Sequence, residues 1–321
     1  MDPRAALPSY PFGSDDLPRL GLSETRLRRL VADGAVHRVL RGVYVAAGVE
    51  NGPELRARAA GLVMAEGQVL RDRTAAWVHG VDVYSYAELE TTPLVETCAL
   101  PGAQPTRLAG IDGRTRDLAP YDVLDIGGVA VTTPLRTALD LGCHLRRREA
   151  YAAINELAHR HDLSVRDLVA ELPRFRGRRG VRQLRPLLAI VDPRVESQRE
   201  SWTLLAIHDA GLPVPTLQHW VDVDGVPTYR LDFAYLRRRV YVEYDGFDAH
   251  ERDQAQRDHD RRRRAVLREQ GWRGIVVRRG DFGGADGERW VHDLRAALAA
   301  PYSSQRWQPR RPRPTLPAVP A

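Results

Sequence analysis

Apolar positions in this chain follow a helical period at its start, alternate in its middle, and mix both patterns towards the end. Asp15–Leu20 reads as a short helical stretch, and Gly21-Leu22 supplies a turn. Ser23 is a good N-cap for a helix over Glu24–Ala32, with Leu27, Leu30 and Val31 as its apolar stripe and Gly34 as its stop. Val36 to Ala46 then reads as two short β segments with Arg38 and Arg41 near their turn. Helix, turn, basic helix and basic hairpin predict a winged helix-turn-helix over residues 10–50. Arg26, Arg28 and Arg29 fall largely off the apolar stripe, so they and the two hairpin arginines are the candidate DNA contacts. Small helical hairpins also occur without DNA, so the pattern alone leaves both readings open.

Residues 51–173 predict a mixed α+β domain. Helices are expected at Pro53–Glu66 and Arg73–Val78, and strands at Val95–Leu100, Thr106–Leu108 and Val123–Thr132. Further helices are expected at Pro134–Leu141, Arg147–Arg160, Ser164–Glu171 and about Val181–Ile190. No chemical constellation stands out here. His79, His144, His159 and His161 are scattered and read as structural or exposed side chains. Arg174 to Arg179, with Gly177 and Gly180, reads as a basic linker opening a segment at 174–194.

Residues 195–300 predict a further folded domain. A helix at Glu196–Ala210 is followed by strands at Leu217–Val223, Thr228–Ala234 and Val240–Asp245. A long charged helix, His250–Gln270, leads to a strand at Gly274–Arg278 and a helix at Trp290–Ala299. Strands joined through a helix pair in parallel with a right-handed crossover, which is expected of the last two strands. The Pro/Arg-rich residues 301–321 are expected to be disordered. Together this is a multi-domain α/β protein.

Composition narrows the chemistry. The chain has 321 residues, a net charge of +6 and 48 basic side chains, all arginine. Without lysine there is no Schiff-base amine and no P-loop lysine, which excludes Walker-A NTPases. The positive balance and a pI near 9.6 favour a polyanionic partner. Mean hydropathy is −0.41 and no apolar run reaches membrane-spanning length. Cys98 and Cys143 form no metal-spaced pair, and the N-terminus lacks a signal-peptide pattern, so a cytoplasmic protein is expected.

The sharpest chemical feature is a set of carboxylates. If the hairpin folds symmetrically about Arg237 and Arg238, Asp232 lies opposite Glu243, and Asp245 projects from the same face. Like charges so placed repel, and they call for a cation, a proton or arginines. Clustered hard oxygens suit Mg²⁺ or Mn²⁺. A solvated edge face is the plainer alternative, against which apolar Val240, Val242 and Tyr244 argue for a packed strand. Trp202 and Trp272 read as core residues rather than base-stacking ones.

Residues 196–282 resemble very-short-patch-repair-like domains of the PD-(D/E)XK, restriction-endonuclease-like superfamily. The resemblance rests on Glu200-Ser-Trp, Ala210-Gly-Leu-Pro, Leu231-Asp-Phe, Val242-Glu-Tyr-Asp-Gly246, His250, Arg257-Asp258 and Gly271-Trp-Arg, in order. It implies an α-β-β-β-α-β core in which Asp232, Glu243 and the Tyr244 carbonyl bind Mg²⁺ for phosphodiester hydrolysis. Asp245 stands where most members place lysine, and could ligate the metal or position water. Glu200 could complete the metal shell, and His250 could act as an acid or base. Arg257, Arg261 and Arg264 could share a helix face and contact phosphate.

Residues 10–145 are similar to AbiEi-type antitoxins of type IV toxin–antitoxin systems. The segments that carry this are Leu40-Arg-Gly-Val-Tyr-Val-Ala46, Thr74-Ala-Ala-Trp-Val-His-Gly80 and Val131-Thr-Thr-Pro-Leu-Arg-Thr-Ala-Leu-Asp140. This similarity implies a DNA-binding regulator with a toxin partner. Two functions are therefore expected: a metal-dependent DNA endonuclease, or a non-catalytic antitoxin-like regulator with a degenerate nuclease domain. A metal-free RNA-cutting toxin fits less well, because no His/Lys pair is present.

Overall fold

A computed structural model describes residues 7–49, 53–64, 67–84, 93–107, 109–245, 254–282 and 284–300. It divides into two compact units, Met1–Gln218 and His219–Ala321.

The first unit opens with β1 (Phe12–Gly13), α1 (Glu24–Ala32), β2 (Val36–Leu40) and β3 (Val43–Ala46), the strands in the order β1-β3-β2. The Ser23 hydroxyl caps α1 by accepting from Arg26 N at 3.2 Å, and Gly34 ends the helix at φ +67°. Leu27 and Leu30 bury the inner face of α1 against Phe12, Leu17 and Val36. The helix expected at Asp15–Leu20 is a single 3-10 turn at Ser14–Asp16 followed by hydrogen-bonded turns through Leu20. Its Asp16 carboxylate turns back to cap Gly13 N at 2.9 Å, which closes the turn instead of extending it. The other face of the hairpin, through Leu40 and Val43, joins the core of the following domain.

That domain is a five-stranded sheet in the order β6-β5-β4-β8-β7. Its strands are β4 (Gln68–Leu70), β5 (Val95–Ala99), β6 (Ile111–Thr115), β7 (Val123–Ile126) and β8 (Val129–Thr132). The helices α2 (Pro53–Gly61) and α3 (Asp72–Val78) pack their alanines on one face, against Leu70, Val95 and Val131. Two strand expectations needed correction. Thr106 and Arg107 are not strand, and the partner of β5 starts at Ile111. The run Val123–Thr132 is a hairpin, turned at Gly127 and Gly128 with φ of 62° and 87°. Two consecutive positive-φ glycines make the tight turn that matches strand twist.

Helices α4 (Pro134–His144), α5 (Arg147–Arg160), α6 (Val165–Ala170), α7 (Val181–Leu188) and α8 (Gln198–Asp209) complete the unit. α8, expected at the head of the last domain, packs on α5, where buried Asn155 donates to the Ser201 hydroxyl at 3.3 Å.

The sheet that dominates the second unit runs β12-β11-β10-β9, from β9 (Thr216–Val223), β10 (Val226–Tyr235), β11 (Val240–Asp245) and β12 (Arg273–Arg278). Its helices are α9 (Gln254–Glu269) and α10 (Gly284–Ala299). β10 and β11 are antiparallel, and β11 and β12 are parallel across α9, as the crossover argument requires. Leu267 of α9 is buried against Leu231, Ala234 and Tyr241. Gly274 lies opposite Tyr241, whose ring fills the space a Cβ would need.

Candidate functional site

The β10–β11 register pairs Phe233 with Val242, Ala234 with Tyr241 and Tyr235 with Val240. Continued by one pair, it sets Asp232 opposite Glu243, and strand alternation puts Asp245 on the same face. The charge on that face is met by arginines. Arg263 donates from Nη1 to Glu243 Oε2 at 2.5 Å and from Nη2 to the Arg230 carbonyl at 3.2 Å. Arg264 Nη2 stands 3.7 Å from Asp245 Oδ2. Asp232 Oδ2 accepts from Tyr244 N at 3.4 Å. Burial would lower the pKa of Arg263, but its pairing with Glu243 raises it overall, so the guanidinium stays charged.

Helical spacing explains why Arg263 arrives there. Leu267, one turn later, is the buried anchor of α9, and Arg263 rides on the same stripe. A sequence search for basic residues one turn before that leucine would have found it. Of the three helix arginines proposed to share a face, Arg264 joins the cluster. Arg261 points outward, 77% exposed, and pairs with Asp258 at 3.3 Å. The Arg257 side chain and His250 lie outside the described residues. Glu200 has local partners: it accepts from the Ser197 hydroxyl at 2.8 Å, Glu196 N at 3.1 Å and Gln218 Nε2 at 3.1 Å. Among the described residues, no three His, Cys, Asp or Glu side chains are arranged to hold a metal ion. Arginines meet Glu243 and Asp245, and the carboxylate oxygens are of the hard type Mg²⁺ prefers.

At the other end of the chain, Arg28, Arg29, Arg38 and Arg41 are exposed and Arg26 is half-buried. Arg28 is lightly tied to Glu24 at 3.0 Å, with both side chains 77% exposed. Such a pair is weak enough to exchange for a phosphate.

The middle domain holds a constellation that sequence reasoning missed. Arg136 is fully buried in α4. It donates from Nε to Asp140 and from Nη1 to Asp122, each at 2.8 Å, and stacks on Phe175. Arg174 adds a second cation to Asp122, 2.5 Å away. Arg116 spans two carboxylates, meeting Asp72 at 2.6 Å and Asp140 at 2.8 Å. Arg71 pairs with Asp72, donates to the Thr97 carbonyl at 2.8 Å, and reaches Asp112 at 3.0 Å. Asp72 is held at φ +46°, a left-handed conformation that persists only where surroundings fix it. Burial would raise the Asp72 carboxyl, but Arg116 and Arg71 bring it below its ordinary range, and Arg174 and Arg136 do the same for Asp122. The signal is an i,i+4 pair, Arg136 and Asp140, set inside a mostly apolar helix.

Arg174 to Arg179, expected as a linker, folds into this same cluster. Burial pushes the Cys98 and Cys143 thiols up to about 11, so neither is a thiolate at neutral pH. His79 is buried, as its structural reading required. Its Nε2 meets the Thr132 carbonyl at 2.7 Å, and its ring meets His161 edge-on. No helix among the described residues is long and apolar enough to cross a membrane.

Comparison with known proteins bears first on the middle of the chain. The family model of the AbiEi antitoxin C-terminal domain matches residues 59–190, the segment that holds the buried charge cluster. Two proteins of Mycobacterium tuberculosis are similar over more of the chain. They are uncharacterized protein MT2308 of strain CDC 1551 / Oshkosh and uncharacterized protein Rv2248 of strain ATCC 25618 / H37Rv. Each is 31% identical over 244 residues, covering 75% of this chain and 85% of the relative.

Proposed function

Because the chain belongs to the family of the mycobacterial proteins MT2308 and Rv2248, and its residues 59–190 match the AbiEi antitoxin C-terminal domain, we propose that it is a DNA-binding, antitoxin-like regulator. The family-model match carries this reading. The exposed arginines of α1 and the β2–β3 hairpin support it, because they lie on a small folded element that joins the matched domain's core. In this role Arg28, Arg29, Arg38 and Arg41 contact phosphate and base edges, with Arg26 behind them. The partner is a toxin of a type IV system. The test is a reporter driven by DNA upstream of the coding sequence. Expression of the chain lowers reporter output, and replacing the four exposed arginines by alanine restores it. Repression that survives those replacements refutes the assignment of the interface.

A second reading is a Mg²⁺-dependent DNA endonuclease. The facing positions of Asp232 and Glu243, with Asp245 beside them, favour it. In that reading Asp232, Glu243, Asp245 and the Tyr244 carbonyl hold the metal, and Arg263 and Arg264 release their carboxylates. Incubation with plasmid DNA in Mg²⁺ or Mn²⁺ tests it. Cleavage lost in Asp232→Ala and Glu243→Ala supports it, and intact plasmid beside tight DNA binding removes it.

A further inference from the structure

Next to the buried charge cluster, the first unit contains a cavity of about 440 Å³. Its wall includes Arg116, Asp140, Cys143, His144, Arg178 and Arg179. The arginines are unequally neutralised. Asp140 is already bonded at 2.8 Å to both Arg116 and Arg136, which leaves Arg178 at 3.8 Å from its other oxygen. Arg178 otherwise makes one long hydrogen bond, 3.4 Å to the Asp117 carbonyl, and stacks on Phe175. Arg179 is exposed and makes no hydrogen bond or ion pair among the described residues. Burial, followed by the charge of Arg136, lowers the pKa of Arg178 against the opposing pull of Asp140.

The loop that carries these two arginines is fixed in place. Gly180 sits at φ +85° against the carbonyl of Cys143 at the end of α4, where any Cβ would collide. Arg178 and Arg179 are therefore presented at the cavity by a docked turn. Two adjacent, under-neutralised guanidinium forks with a histidine at the rim suit a tetrahedral dianion better than a single carboxylate. The volume falls in the range of small-molecule sites, leaving room for a group attached to that anion.

We propose that this cavity binds a phosphate group, through Arg178 and Arg179 with His144 at its rim. The phosphate belongs to a free nucleotide or to a nucleic-acid backbone, which share this chemistry. The site shares no residue with the α1 and hairpin arginines or with the Asp232 cluster, so its fate does not decide the function proposed above.

The test is calorimetric titration of the full chain with inorganic phosphate, with chloride at matched ionic strength as the control. Arg179→Ala and Arg178→Ala are compared with the parent, and a thermal melt of each verifies folding. The expected result is saturable phosphate binding absent with chloride, weakened at least about tenfold in each variant (~1.4 kcal/mol). Arg178→Lys keeps charge but loses the fork, and should weaken binding less than Arg178→Ala. Competition then separates the sources. A nucleoside monophosphate displacing phosphate points to a free nucleotide, and displacement only by an oligonucleotide with internal phosphates points to a backbone. Phosphate that binds no better than chloride, or equally well in folded Arg178→Ala and Arg179→Ala, overturns the proposal.

Discussion

Two sets of carboxylates and arginines in this molecule have similar ingredients and different construction. In the middle domain, Asp72, Asp122 and Asp140 are almost fully buried, and their arginines come from the end of β4, the segment after β6, α4 and the turn before α7. Each carboxylate there is bridged by two or more cations. In the second unit, among the described residues, Glu243 and Asp245 face Arg263 and Arg264 of one helix, α9, at 2.5 and 3.7 Å. A cluster cross-linked from many elements is a structural lock. One served by a single helix can be unlocked by whatever displaces that helix's side chains.

The contrast can be broken most forcefully at Asp140. Asp140→Ala leaves Arg116 and Arg136 facing one another in a buried space, and removal of one partner from such a site costs ~3–5 kcal/mol. Chemical denaturation followed in the first unit should show that loss. A cost below about 1 kcal/mol would mean the cluster is not a lock.

Acid sharpens the same point. Burial lowers the His79 pKa from 6.5 to about 4, so the folded chain keeps this ring neutral where the unfolded chain takes up a proton. Stability is then complete above about pH 6.5 and falls between there and pH 4, by roughly 3 kcal/mol in all. A denaturation series over that range checks it, and His79→Gln should flatten the slope. The lowered carboxyls of Asp72 and Asp122 add their loss only at lower pH still, as each is protonated.

The second unit should respond less. Arg263→Ala removes a charge-assisted hydrogen bond from a mostly buried glutamate and should cost ~1.5–3 kcal/mol. Arg261→Ala, on the exposed face of the same helix, should stay within about 0.5 kcal/mol. Equal effects from the two would erase the distinction between the inner and outer faces of α9.

Much of this was legible along the chain, and the gaps share a cause. The Ser23 cap, the Gly34 stop, the symmetric β10–β11 hairpin and the parallel β11–β12 pair each follow from local rules or short-range spacing. Local signals also placed Asp232 against Glu243. What failed was non-local. The middle cluster joins residues as far apart as Arg71 and Arg174, and no window contains both. The double glycine at 127–128 is a turn signal that the apolar alternation continuing across it conceals. Arg263 was hidden among Arg261, Arg262 and Arg264, and only the buried Leu267 singles it out.

The central claim, that the N-terminal arginines make this chain a DNA-binding regulator, is tested most directly by a salt titration of DNA binding. Fluorescence anisotropy with DNA upstream of the coding sequence would compare the parent with the variant carrying alanine at Arg28, Arg29, Arg38 and Arg41. If all four meet phosphate, log K should fall with log salt at a slope steeper by about 3 to 4 in the parent than in the variant, which should also bind much more weakly. Equal slopes and equal affinities would contradict the account.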